Sequence, residues 1–173
     1  MFKFCPTCKS SNLSFKKSHY WECEDCDFLY YHNIASSVAG IIEYNGSILL
    51  TKRAKEPGMN KLDLPGGFVD PNESLEQAIS REVYEELKLT IKNWSYLNSY
   101  PNIYKYGNIE YRTLDSIFFT KLDYLPKLEL EQPEILQTQW LTPDEIVFKN
   151  ISFNSIRQGV KNYIRHSVQC ILI

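Results

Sequence analysis

The chain has 173 residues, enough for one globular domain carrying a small appendage. A formal net charge of −2 supplies no basic field for nucleic acid, and no apolar run reaches the ~18–20 residues that span a bilayer. The opening MFKFCPTCKS lacks the apolar centre of a secretory signal, so the expected location is the cytoplasm, with neither a nucleic-acid nor a membrane partner.

The first element is a cysteine framework. Cys5-x2-Cys8 and Cys23-x2-Cys26 are separated by fourteen residues, the arithmetic of a four-thiolate zinc ribbon. Each pair supplies two thiolates from one tight knuckle, and two knuckles close a tetrahedron. Such a site has no open position for water, so the Zn²⁺ is structural. Two disulfides are the competing reading, disfavoured in a reducing compartment. Lys9 and Asp27 stand where knuckles often carry glycine. The ribbon's lysines are partly balanced by Glu22, Glu24, Asp25 and Asp27, which favours packing or dimerisation over nucleic-acid binding. Cys170, in the apolar tail, reads as a buried core residue. The ribbon is expected over residues 1–32 and a second domain over 33–173.

That second domain begins with two apolar runs around Asn45-Gly46, a type I′ turn signal, so residues 38–44 and 47–53 read as a hairpin. A polar loop follows, then a short extended piece ending in Pro65-Gly66-Gly67. From Ser74 to Leu87 the apolar residues Leu75, Ala78, Ile79, Val83 and Leu87 recur at helical spacing, with Ser74 and Gln77 as a capping box and Asn72 as a competing cap. Residues 94–100 and 102–120 alternate as antiparallel strands around a Gly107-Asn108 turn. EILQTQWLT is a further strand, Thr142-Pro143-Asp144-Glu145 a helix start, and 153–166 a final helix with Ile156, Val160, Tyr163 and Ile164 on one side. The class is α+β.

The stretch REVYEELKL packs Glu82, Glu85 and Glu86 onto one helical face near its C-terminal end. Like charges at that spacing repel by roughly 0.2–0.5 kcal/mol a pair, and the helix dipole disfavours anions there. Clustered oxygen ligands suit a hard cation such as Mg²⁺ or Mn²⁺, and the Gly66-Gly67 turn brings bare backbone close to the same ion or to a phosphate. A solvated acidic helix end is the plainer alternative.

Read as a whole, the segment resembles the Nudix hydrolase signature. Gly67, Glu73, Arg81, Glu82, Val83, Glu85, Glu86 and Leu89 fall in register over 23 residues, preceded by Leu64-Pro65-Gly66-Gly67. One position departs, since Lys88 stands where the family has glycine. The ribbon is similar to that of the zinc-ribbon group, which includes NADH pyrophosphatases. The resemblance implies an α/β/α sandwich with a mixed sheet, and Mg²⁺-dependent hydrolysis of a nucleoside diphosphate linked to another group. ADP-ribose, NADH and similar dinucleotides are the implied substrates. Glu82, Glu86 and the Gly66 carbonyl would hold the catalytic metal, with Glu85 completing the set, and Arg81 would pair with Glu73. Glu85 and Glu134 are the candidate general bases, and Lys52 and Arg53 the candidate phosphate contacts. Ser99-Tyr100-Pro101-Asn102-Ile103-Tyr104 lies where NADH pyrophosphatases carry a Ser-Gln-Pro-Trp motif, with Tyr and Asn replacing Gln and Trp. Tyr100, Tyr104, Tyr106 and Tyr111 are candidates for stacking on a base. A Nudix-like nucleotide sensor without turnover is the alternative function, and a homodimer is one assembly left open.

Overall fold

Asn45 and Gly46 take φ of 48° and 78°, the turn their sequence demands, and join β4 (Ala35–Tyr44) to β5 (Ser47–Arg53). The computed structural model describes residues 2–130 and 133–171, with side chains of the last helix described to residue 167. It divides into two compact units after Ile34. The side chain of Cys170 lies outside the described residues.

In the first unit β1 (Leu13–Lys16), β2 (Tyr20–Cys23) and β3 (Leu29–Tyr31) form an antiparallel sheet. The four cysteine sulfurs all lie within 4.8 Å of one another, and all four thiols are free. Cys5 and Cys26 sulfurs are 3.6 Å apart, as are those of Cys8 and Cys23. Four sulfurs at ~2.3 Å from one ion stand about 3.8 Å apart, so this spacing fits a tetrahedral metal and excludes disulfides. Burial pushes the Cys5 thiol up, but the backbone N–H groups of Cys8 and Thr7 win and bring it to about 6. Cys26, despite the Phe28 N–H, is pushed up to about 12 by burial and the neighbouring sulfurs. Lys9 takes left-handed backbone with φ 64°, the conformation for which knuckles favour glycine.

Among the described residues of the second unit, seven strands form one sheet in the order β10-β5-β4-β9-β8, with β6 (Leu62–Asp63) on β5 and β7 (Gly66–Phe68) on β4. Strand β4 runs parallel to β9 (Ile109–Leu122), from Ala35 opposite Thr113 to Tyr44 opposite Leu122, while β8 (Ser95–Tyr106) pairs antiparallel with β9 and β10 (Ile135–Leu141) antiparallel with β5. The alternation of β4 sends Val38 and Ile42 to one face, against Ala78, Ile79, Val83 and Leu87 of α1 (Leu75–Leu87). Ala39 and Ile41 go to the other, against Ile156, Val160 and Tyr163 of α2 (Asn154–Ile171). Each such fully buried aliphatic side chain contributes about 1.5–3 kcal/mol, which fixes the three layers and the sheet register.

Two expectations change. The break assigned at Pro101 is absent: β8 runs through it, opposite Leu114 of β9. Strand β8 ends the sheet order, where a residue without an N–H leaves no ladder bond unmade. Thr142 starts only a single 3₁₀ turn, Pro143–Glu145, closed by Glu145 accepting from the Thr142 backbone N–H.

Lys88 caps α1 in the left-handed conformation, φ 53° and ψ 27°, its N–H donating to the Tyr84 carbonyl at 2.9 Å. A left-handed non-glycine residue costs roughly 1–2 kcal/mol, and glycine returns part of that as unfolded-chain entropy. Lys88→Gly is therefore expected to stabilise the protein by about 0.5–1 kcal/mol in urea unfolding. A lower midpoint would mean that the Lys88 ammonium on the Glu85 carbonyl and over the Tyr84 ring outweighs the strain.

Candidate active site

Helix α1 starts on a reciprocal cap: Ser74 Oγ accepts from the Gln77 N–H, and Gln77 Oε1 from the Ser74 N–H. This sets the helical phase so that Glu82 and Glu86 face β7. Gly66 must be glycine: its φ is 146°, and a Cβ there would collide with the Val38 and Ala39 backbone of β4, while one on Gly67 would crowd the Glu82 carboxylate. The Gly66 N–H donates to Glu86 Oε2 at 3.1 Å.

Arg81 ties the segment together. Its Nε and Nη2 donate to the two oxygens of Glu73 at 3.0 and 2.6 Å, Nη1 donates to Glu82 and Glu85 at 2.9 and 3.1 Å, and Nη2 also reaches the Phe68 carbonyl. A bidentate fork of this kind is strong and directional. The Arg81 guanidinium and the Asp70 N–H hold the Glu73 carboxyl below its usual range.

Glu82 and Glu86 open onto a cavity of about 400 Å³, within the range of small-molecule sites. Burial pushes Glu86 well above the usual carboxylate range, reinforced by the charge of Glu82 and, behind the opposing Gly66 N–H, by Asp63 and Glu134. Burial also raises Glu82, against the pull of Arg81. Burial raises Asp63 too, against Arg53, which pairs with it at 2.7 Å. A half-buried carboxylate left without a cation among other acids fits a hard dication. Among the described residues, however, only the four cysteines bring three or more ligand atoms within 4.8 Å. The glutamates stand further apart, because Arg81 holds Glu82 and Glu85 while Glu86 turns to Gly66.

The far walls are aromatic and polar. Tyr104 packs edge-on to Phe68 and beside Phe153, and Tyr106 and Asn102 project from the same face of β8. Arg53 lies over the Phe153 ring at 5.1 Å.

The NUDIX domain family matches residues 32–161, three quarters of the chain. The chain belongs to this family. It is 28% identical over 144 residues to the NAD-capped RNA hydrolase NudC of Escherichia coli O1:K1, covering 83% of this chain and 53% of that protein. The chain thus spans about half the length of the curated relatives it matches. A NUDIX hydrolase of Nitrosomonas europaea has 27% identity and a TM-score of 0.64, over 95% of this chain and 91% of that one. The NUDIX domain of Shewanella oneidensis NrtR, solved with ADP ribose, shares the fold at 17% identity and a TM-score of 0.65, over 78% of this chain and 90% of that one.

Of the residues singled out from the NUDIX signature and its surroundings, Gly66, Glu82, Glu86, Glu134, Arg53 and Tyr104 line the cavity. Glu134 also pairs with Lys55 at 3.2 Å. Glu85 does not line it; its side chain is 49% exposed and held by Arg81. Lys52 is a correction: adjacent strand residues point to opposite faces, and Lys52 lines a separate groove with Gln137, Gln139 and Lys149. Tyr100 packs against the core beneath α2 and is not a cavity wall. Arg53 is committed within the protein, donating to the Pro57 carbonyl, Asp63 and the Tyr104 hydroxyl. The sequence reading missed Asp63, Asp115 and Phe153, and named Asn102 only within its motif. Two of them carry a signal: Asp63 sits between leucines and Asp115 precedes an apolar strand run, and such acids are exceptional inside a core.

Proposed function

We propose that the protein is a divalent-metal-dependent hydrolase of a diphosphate bond in a nucleoside diphosphate linked to a second group. The observation that carries this reading is Glu86, which with Glu82 and the Gly66-Gly67 turn lines an aromatic-walled cavity of nucleotide size. Glu82, Glu86 and the Gly66 carbonyl would hold Mg²⁺ or Mn²⁺, and Glu85 would join them on release from Arg81. The ion supplies charge neutralisation of the diphosphate and a water of lowered pKa. Glu134, facing the same space, is the general base in this reading, and Lys55 beside it steadies the carboxylate. Arg81 and Glu73 position Glu82 without touching substrate. Tyr104, Tyr106 and Phe153 offer faces on which a base stacks. The four cysteines would hold one structural Zn²⁺.

ADP-ribose, NADH and related dinucleotides share the required bond. NudC relatives act on NAD-capped RNA, so a capped RNA belongs among the substrates tried, against the first expectation of no nucleic-acid partner. The test is incubation with each of these and Mg²⁺, with products identified by mass spectrometry. Paired monophosphate products are expected from at least one. Tight binding without turnover on any of them would favour the silent sensor instead.

A further inference from the structure

Across β4 from β7, in the lining of the cavity, lies a buried carboxylate that the proposed reaction does not use. Asp115 of β9 is 7% exposed, and Thr113 and Ser155 beside it are 2% and 0% exposed. Asp115 Oδ1 accepts from the Ser37 and Thr113 hydroxyls at 2.5 and 2.6 Å, and Oδ2 accepts from Ser155 at 2.5 Å. Its partners are three hydroxyls from three elements and no cation. Burying a carboxylate unpaired is costly unless hydrogen bonds hold it, and three donors from β4, β9 and α2 do so here.

Lone-pair counting defines what this site lacks. A carboxylate offers about four acceptor positions, and three are filled, leaving one on Oδ2. Each hydroxyl has one hydrogen, and at 2.5–2.6 Å Asp115 takes it, ahead of the Leu114 carbonyl 3.5 Å from Ser37 Oγ, so Ser37 and Thr113 present acceptors to the cavity they line. The open Asp115 oxygen is therefore an anionic acceptor, in a lining that also holds the Asn102 amide opposite Thr113 and the aromatic side chains of Tyr104 and Phe153. A planar group bearing an N–H donor satisfies it. A carbonyl placed on that oxygen meets an acceptor and is rejected.

We propose that Asp115 is a specificity-determining residue that reads the exocyclic amine of a nucleotide base. The inference rests on the cavity being a nucleotide site, but not on catalysis. It is tested without catalysis, by calorimetric titration of the zinc-loaded protein, with no Mg²⁺ or Mn²⁺ added, with nucleotide pairs differing by one amine. AMP against purine riboside 5′-monophosphate, and CMP against UMP, are the pairs. In at least one pair the amine-bearing member should bind about 10- to 100-fold tighter, and Asp115→Asn should bring that ratio close to one. Equal binding within every pair, or a preference that survives Asp115→Asn, overturns the proposal. So does a penalty that follows the 2′-hydroxyl, read with 2′-deoxy-AMP, because Asp115 would then serve the ribose. If Asp115→Asn does not fold, amide shifts in the wild type decide. The amine-bearing nucleotide must then perturb Ser37, Thr113 and Asp115 more than its partner does. Loss of turnover with this discrimination intact would sink the hydrolase reading alone.

Discussion

Glu86→Gln is expected to lower turnover by on the order of 10³ or more while leaving the fold intact. The amide keeps the side chain's shape and still accepts from the Gly66 N–H, but it cannot serve as an anionic ligand. The same substitution has a second signature in zinc-loaded protein without Mg²⁺ or Mn²⁺. Burial and the nearby charges of Glu82, Asp63 and Glu134 raise the Glu86 pKa above its unfolded value. In that window the folded state binds more protons than the unfolded one, so stability is highest at low pH and falls as pH rises through the raised value. Glu86→Gln removes this term. With zinc bound and no Mg²⁺ or Mn²⁺ added, the variant should therefore be more stable than wild type, by a margin that grows from about pH 4.5 upward. Denaturant unfolding across pH measures it, and a variant less stable than wild type at neutral pH would mean that Glu86 is held by partners other than a cation. An active variant would remove Glu86 from the metal-ligand set.

Replacing Cys8 with serine, or stripping metal with a strong chelator, is expected to unfold the first unit. Structural zinc contributes about 10–16 kcal/mol of apparent binding energy in small metal-folded domains, far more than three short strands can replace. Purified protein should carry one zinc per chain by elemental mass spectrometry. Hydrogen exchange in β1 to β3 should lose its protection when the ion is removed. Full protection in metal-free protein would contradict a zinc-held ribbon.

Local chemistry explains which parts of the fold were legible in the sequence. Asn45-Gly46 dictated its turn, Ser74 with Gln77 dictated the start of α1, and paired cysteines dictated a four-sulfur cluster, because each device acts within a few residues. The course of β8 through Pro101 was hidden, since a proline is tolerated or excluded according to the strand's place in the sheet. The same limit governs the site. The signature placed Glu82 and Glu86 correctly beside the glycine turn, but the hold of Arg81 on Glu82 and Glu85 is a matter of side-chain geometry. Lys52 and Arg53 could not both have faced one cavity, given the two-residue period of a strand. Asp115 was readable only as an anomaly, an acid leading an apolar run. Its meaning came from the parallel pairing that sets Ser37 opposite it, and from α2 returning Ser155 from forty residues away.

Cleavage of ADP-ribose in ¹⁸O-labelled water, followed by mass spectrometry across a Mg²⁺ titration, tests the central reading most directly. AMP and ribose 5-phosphate are expected, with one ¹⁸O on one of the two phosphates and no products without divalent metal. Breakage at the glycosidic bond, or turnover indifferent to the metal, would contradict it.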